Sequence, residues 1–170
     1  MVFIPEISDY KPFYIQTDVD SEAIDTTVWG LVAKVNPFPA LPNPKNPYKN
    51  EWHDQNGDDE YTEQMFYEPI EFSVAFYVKT YATDAKSAEA VMLSQIDSFF
   101  AKIRQGEFMI YDSYTGIGRK KVRYAGYDEE EFKRRHKSGA GWARAIFTIK
   151  FKVNDPITRI SLVNGKLVEE

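Results

Sequence analysis

The strictest patterning in the chain lies in residues 69–153, where alternating and three-and-four spacings follow one another almost without a gap. Ile70, Phe72, Val74, Phe76 and Val78 alternate with Glu71, Ser73, Ala75, Tyr77 and Lys79. That period of two predicts a strand with one core face and one face that is wet or in contact. Ala88, Met92, Gln95 or Ile96, Phe99 and Ile103 then follow helical spacing, leaving Lys86, Glu89, Ser94, Asp97, Lys102 and Arg104 outside. Asp84 or Thr83 supplies an N-cap, and Gly106 stops the helix just after Gln105. Residues 107–111 and 119–125 predict a hairpin turned through Asp112 to Gly118. Residues 127–141 read as a charged loop. In 142–153, Ala143, Ala145, Phe147, Ile149, Phe151 and Val153 face one way, with Arg144, Thr148, Lys150 and Lys152 opposite.

Outside this run the signals are shorter. Residues 10–15 predict an aromatic strand that Pro12 confines to an edge. Residues 21–25 read as a turn. Residues 28–35, VWGLVAKV, predict a strand with Gly30 as a bulge or a point of close approach. Residues 157–163, followed by an Asn164-Gly165 turn, predict a last short strand or hairpin at the edge.

Between the second and third strands stands a connection of about thirty residues, against a usual loop of ~4–6. Residues 36–50, NPFPALPNPKNPYKN, hold five prolines and four asparagines. Missing amide donors and fixed φ values exclude a helix or central strand and predict extended, polyproline-like backbone. An acidic stretch with a turn at Asn56-Gly57 follows, to Glu68. Phe38, Leu41, Tyr48, Trp52, Met65, Phe66 and Tyr67 are poorly suited to a solvated loop, so 36–68 reads as an arm that docks on a neighbouring subunit or as a surface loop.

Strands joined mainly by hairpin-length links, with one helix, predict an α+β fold. Its body is a mainly antiparallel β-sandwich or half-open barrel with one flanking α-helix and a long extended arm. A doubly wound parallel sheet would need several crossover helices. The expectation is a single domain over residues 1–170.

Composition narrows the function. A net charge of −5 argues against bulk attraction to nucleic acid. With no cysteine, disulfides, thiolate catalysis and zinc–thiolate sites are excluded. Residues 1–10 have no basic n-region, and no window approaches the ~18 apolar residues of a membrane span. The expectation is a soluble chain that carries no export signal and contacts no membrane.

Candidate chemistry is sparse. In the acidic segment 52–60, taking Gly57 as the turn glycine of a calcium loop aligns Asp54, Asn56, Asp58 and Glu60 as ligands, with Glu63 last. The first ligand would then be Trp52, and no helix leads in, so a solvated acidic turn explains the segment better. A metal-dependent hydrolase built from His53, Asp54, Asp58 and Asp59 is weaker still, since the second histidine, His136, lies in a distant segment. Ser73 and Ser87 lack a nucleophile elbow, and a hairpin turn accounts for Gly116 and Gly118. No catalytic, cofactor-binding or metal residue is assigned, and the expectation is a non-enzymatic protein.

One basic stretch stands out. Arg119, Lys120, Lys121 and Arg123, then Lys133, Arg134, Arg135 and Lys137, surround acidic residues 128–131, with Tyr124, Tyr127, Phe132 and Trp142 interleaved. Cations gripping phosphates and rings stacking on bases would make residues 119–137 a nucleic-acid-binding module. The alternation of Arg119, Lys121 and Arg123 with Val122 and Tyr124 fits a solvated strand face equally, and the mixed charges fit a protein contact.

In residues 97–112, DSFFAKIRQGEFMIYD, a helix ends in aromatics, breaks at Gly106 and enters a strand closing on Asp112. This passage resembles the helix-to-hairpin segment of phage tail structural proteins, namely the tail-tube, minor tail and distal tail (baseplate hub) components. The resemblance implies a β-sandwich flanked by one helix, with an arm reaching the next subunit from where 36–68 lies. It further implies a homo-oligomeric ring, neighbouring tail proteins as partners, no cofactor, and a place in the virion tail after assembly in the host cytoplasm. With no room here for a second, carbohydrate-binding domain, an architectural part is expected. The subunit interface is then expected at Phe38, Leu41, Tyr48, Trp52, Phe66 and Tyr67 of the arm and at Arg119, Lys121, Arg123, Lys133, Arg134 and Arg135.

Overall fold

The computed structural model describes residues 12–34, 41–46, 49–50, 59–60, 65–137 and 140–170. In chain order its elements are β1 (Phe13–Gln16), β2 (Ile24–Asp25), a 3-10 turn (Thr26–Trp29) and β3 (Leu31–Lys34). The short β4 (Lys49–Asn50) and β5 (Asp59–Glu60) lead to β6 (Ile70–Ala82), α1 (Ala85–Ile103) and β7 (Phe108–Asp112). Then come β8 (Ile117–Lys137), β9 (Ala140–Val153), β10 (Arg159–Val163) and β11 (Lys166–Glu169). The main sheet runs β2-β1-β7-β8-β9-β6-β3, with the β10–β11 hairpin attached to the start of β8. Its pairs are antiparallel.

The sheet curls. Phe13 on β1 meets Phe76 on β6 edge to face at 5.9 Å, although β7, β8 and β9 stand between those strands in the sheet. The result is the α+β half-open barrel predicted from the pattern, with α1 packed on its inner face through Phe99 on Phe76 and Phe100 on Phe147. Every residue of β6 pairs with β9, from Ile70↔Val153 to Ala82↔Gly141. Because both strands alternate in phase, Val74, Phe76 and Val78 stand beside Ile149, Phe147 and Ala145 on the inner face. The helix lays Ala88, Met92, Phe99 and Ile103 onto that face, all at most 1% exposed. Burying each large side chain of this set stabilises the fold by about 1.5–3 kcal/mol.

Local chemistry fixes the ends of α1. The Asp84 carboxylate accepts from the Ser87 amide at 2.9 Å and its hydroxyl at 2.7 Å, satisfying the first turn. β9 passes directly beneath that turn at Gly141, where a Cβ would overlap the backbone of Asp84 and Ala85.

Two expectations are corrected. Residues 28–35 are not one strand: the Asp25 carboxylate accepts from the Thr27 amide at 3.1 Å and starts the 3-10 turn, which Gly30 ends at φ 71° before β3 begins. Gly30 is a close approach, since a Cβ there would lie 2.8 Å from the Gln95 amide nitrogen. Within 127–141, the residues up to Lys137 continue β8 and those from Ala140 belong to β9, so the segment is the far end of a long hairpin. Its charges reflect a solvated strand, which composition alone does not separate from a loop. The described parts of 36–68 are extended and paired with one another. The Lys45 amide donates to the Phe66 carbonyl and the Glu68 amide to the Asn43 carbonyl, both at 2.8 Å, and β4 pairs with β5.

Candidate functional site

The arm grows out of the β3–β6 ladder. β3 pairs with β6 as far as Lys34↔Ala75, and its continuation meets the lead-in to β6 again at Pro44↔Tyr67 and then at Asn50↔Asp59. Pro44 lacks an amide hydrogen, so the flanking Asn43 and Lys45 carry the bonds. Leu41 is 80% exposed and Phe66 57%, and Met65 is also exposed, while Tyr67 is partly covered. Apolar groups of that size, held up together on one narrow hairpin, favour contact with another surface. Phe38, Tyr48 and Trp52 lie outside the described residues, as do His53, Asp54 and Asp58 of the acidic segment.

The outer face of the main sheet carries a second constellation, which the sequence reading did not single out. Register places Lys79 opposite Arg144 and Tyr81 opposite Trp142. The Lys79 ammonium sits 5.1 Å from the Tyr81 ring centre and 5.2 Å from that of Trp142, and the Arg144 guanidinium is 5.9 Å from Trp142. Arg144 also donates to Glu131 on β8 at 3.1 Å, and Lys133 pairs with the same carboxylate. The hydrogen bond from Lys133 and the attraction of Arg144 outweigh partial burial and hold Glu131 below the usual carboxylate range. The available signal was the matched alternation of residues 70–79 and 142–153, which puts their outward residues side by side.

At the start of β8 the alternation breaks. Phe108 pairs with Val122 but Ile110 with Arg119, so Lys120 and Lys121 stand opposite Met109 alone, and Lys121 takes φ 51°. This bulge inverts the sides that follow from simple alternation. Arg119, expected on a solvated interface face, is instead only 2% exposed. Burial, then the nearby Arg159 charge, push its guanidinium below the ordinary value, and Asp155 opposes them. Beside it, Lys120 reaches Glu169 at 2.9 Å and Asp155 at 3.4 Å, and its bond to Glu169 raises it above the usual lysine value.

Asp155 in turn accepts from the Thr158 amide at 3.1 Å, the Thr158 hydroxyl at 2.9 Å and the Ile157 amide at 3.3 Å. Burial alone would raise this carboxyl; the bonds outweigh it and leave the group below its ordinary value. Gln16, 1% exposed, accepts from the Leu167 amide at 2.7 Å and ties β11 to β1. This corner holds the β10–β11 hairpin on the body.

The rest of the basic stretch divides in two. Lys150 pairs with Asp128 at 2.7 Å and Lys152 with Glu71 at 3.1 Å, continuing the neutralised ladder of Lys133, Glu131 and Arg144. Arg134 and Arg135 are placed by backbone register opposite Ala143 and Trp142, their side chains lying outside the described set. Lys102, Arg104, Lys121 and Arg123 form no ion pair among the described residues. Two of them line a cleft of about 260 Å³ formed by Ile103, Arg104, Gly106, Glu107, Arg123 and Tyr124. The cleft exists because β7 pairs with β8 only to Val122, so the link from α1 to β7 leaves the next part of β8 uncovered. Arg104 lies 5.0 Å from the Phe100 ring centre, and the Glu107 carboxylate accepts from the Asn154 amide group at 3.2 Å.

Neither a protein-family model nor a curated protein sequence matches the chain. Among solved structures it is similar to the phage SPP1 Dit protein, described as a paradigm of the hub adsorption apparatus in phages infecting Gram-positive bacteria. The TM-score is 0.57 at 14% sequence identity, over 88% of this chain and 52% of that one. The chain therefore spans about half the length of that protein, and what the two share is the fold.

Proposed function

We propose that this chain is a non-enzymatic structural subunit of a phage-type tail that assembles into a ring and contacts adjacent tail proteins. The observation that carries the reading is the fold shared, over 88% of this chain, with a protein described as a hub adsorption apparatus. The arm supports it: a paired hairpin projecting beyond the sheet with Leu41 and Phe66 uncovered is suited to lie on a neighbour. In a ring each copy uses one surface to meet a different surface on the next, and rotation closes the set. Leu41, Phe66, Tyr67, Lys121, Arg123 and Lys133 belong to that contact surface in this reading, together with Phe38, Tyr48, Trp52, Arg134 and Arg135. Two cations of the nucleic-acid reading are otherwise engaged, since Arg119 is buried and Lys133 holds the Glu131 carboxylate.

Replacing residues 36–68 by a short glycine-rich linker tests the arm. Far-UV circular dichroism and the melting transition should persist, while sedimentation should show the assembly reduced to single copies. An assembly that survives the replacement unchanged would remove the arm from the mechanism.

A further inference from the structure

The cleft between the end of α1 and β8 has the wrong charge for the molecule that carries it. The chain is net −5, yet Arg104 and Arg123 line the cleft, and Lys102 and Lys121 sit within two residues of them. None of the four forms an ion pair among the described residues, whereas Lys120, Lys133, Lys150 and Lys152 do. Glu107, the one acid in the lining, is turned to Asn154. Ile103 and Tyr124 add apolar surface, so the site suits an acidic segment that also carries an aromatic ring.

The chain contains such a segment. Residues 51–63, EWHDQNGDDEYTE, hold six acidic side chains and no lysine or arginine, with Trp52 and Tyr61 among them. β4 and β5, which flank residues 51–58 in the sequence, pair with each other on the arm. The arm leaves the sheet on the β3–β6 side, and the cleft opens beyond β8, across β9. Both lie at the end of the sheet where Ile70, Val153 and Val122 are paired in a row. An arm leaving one side and a receptor on the other side, at the same end, is the arrangement of a head-to-tail contact between copies.

We infer that the basic cleft of Arg104 and Arg123 receives the acidic segment 51–63 of a second copy of the chain. This rests on the assembly reading above and names the surfaces that meet. Opposite charges brought together at the rim of such a contact set partner choice and make it salt-sensitive.

A charge swap tests it. The double variant R104E/R123E should weaken self-association by about tenfold or more, as should D58K/D59K/E60K, each with an unchanged circular dichroism spectrum. Combining both sets in one chain should restore association. In parallel, a fluorescent peptide of residues 49–63 should bind the full chain, lose binding in R104E/R123E and bind more weakly as salt rises. Self-association that is indifferent to R104E/R123E, or that the combined variant fails to restore, overturns the docking while leaving ring assembly standing. If the chain stays monomeric yet binds the peptide through these arginines, ring assembly fails and the cleft assignment stands. A peptide that does not bind, together with insensitive self-association, removes the acidic arm as the occupant.

Discussion

β6 and β8 both pair with β9, and they use it differently. β6 keeps one register across all 13 of its residues, from Ile70↔Val153 to Ala82↔Gly141. β8 shifts register twice against β9, between Tyr124 and Gly126 and between Glu129 and Glu131, and once against β7. Where register holds, a side chain's position in the alternation tells which face it occupies. Where it slips, the same arithmetic gives the wrong face, as it does for Arg119. The uninterrupted ladder carries the core. The interrupted strand bends from one set of neighbours to another, and its irregularities mark both the buried corner and the open cleft.

The largest expected effect belongs to the regular ladder. Phe76, with no exposed surface, touches Phe13, Phe99 and Phe147. Phe76→Ala should cost about 3–5 kcal/mol in denaturant unfolding, while Tyr77→Ala, one step along on the outer face, should cost less than about 1.5 kcal/mol. Equal losses would mean that alternation does not separate the faces even here.

A smaller contrast tests the bulge. Arg119→Ala should destabilise by about 2–3 kcal/mol and Arg123→Ala by less than about 0.5, although both lie on the same strand and carry the same charge. A neutral Arg119→Ala would mean that the lost packing of its stem is offset by relief of burying a cation beside Arg159.

The smallest effect concerns the corner beyond the bulge. Asp155→Ala removes the acceptor for Thr158 and Ile157 and should cost about 1 kcal/mol. Because the folded-state value of Asp155 is lowered, its contribution is complete above the unfolded value of about 3.9 and fades as pH falls through the lower folded value. The stability gap between wild type and variant should therefore be constant near neutral pH and narrow below about pH 4. A gap that widens on acidification would reverse the sign of that shift.

These contrasts also mark what was legible in the sequence. The strand at 70–79, the capped helix ending at Gly106 and the inward set Ala143 to Val153 were readable because a single period runs through each. The close approach at Gly30 was readable from a glycine inside an apolar run. The inward turn of Arg119 was not, since a bulge of Lys120 and Lys121 leaves no compositional trace. The far end of the β8–β9 hairpin was hidden by its own charges, which suit a solvated strand and a loop alike. Of the expected contact residues, Leu41, Phe66, Lys121, Arg123 and Lys133 are exposed and Tyr67 partly so, but the outer-face group of Lys79, Tyr81, Trp142 and Arg144 needed the register of β6 on β9 to appear. Arg104 and Arg123 are distant in sequence, and only the early end of the β7–β8 pairing brings them to one cleft.

The role proposed for the chain is that of a self-assembling part. Its mass in solution tests this most directly, measured from low to high micromolar concentration. The expected result is a discrete closed multiple of the 19.7 kDa chain, seen as rings by electron microscopy. A single-copy mass at every concentration would contradict it.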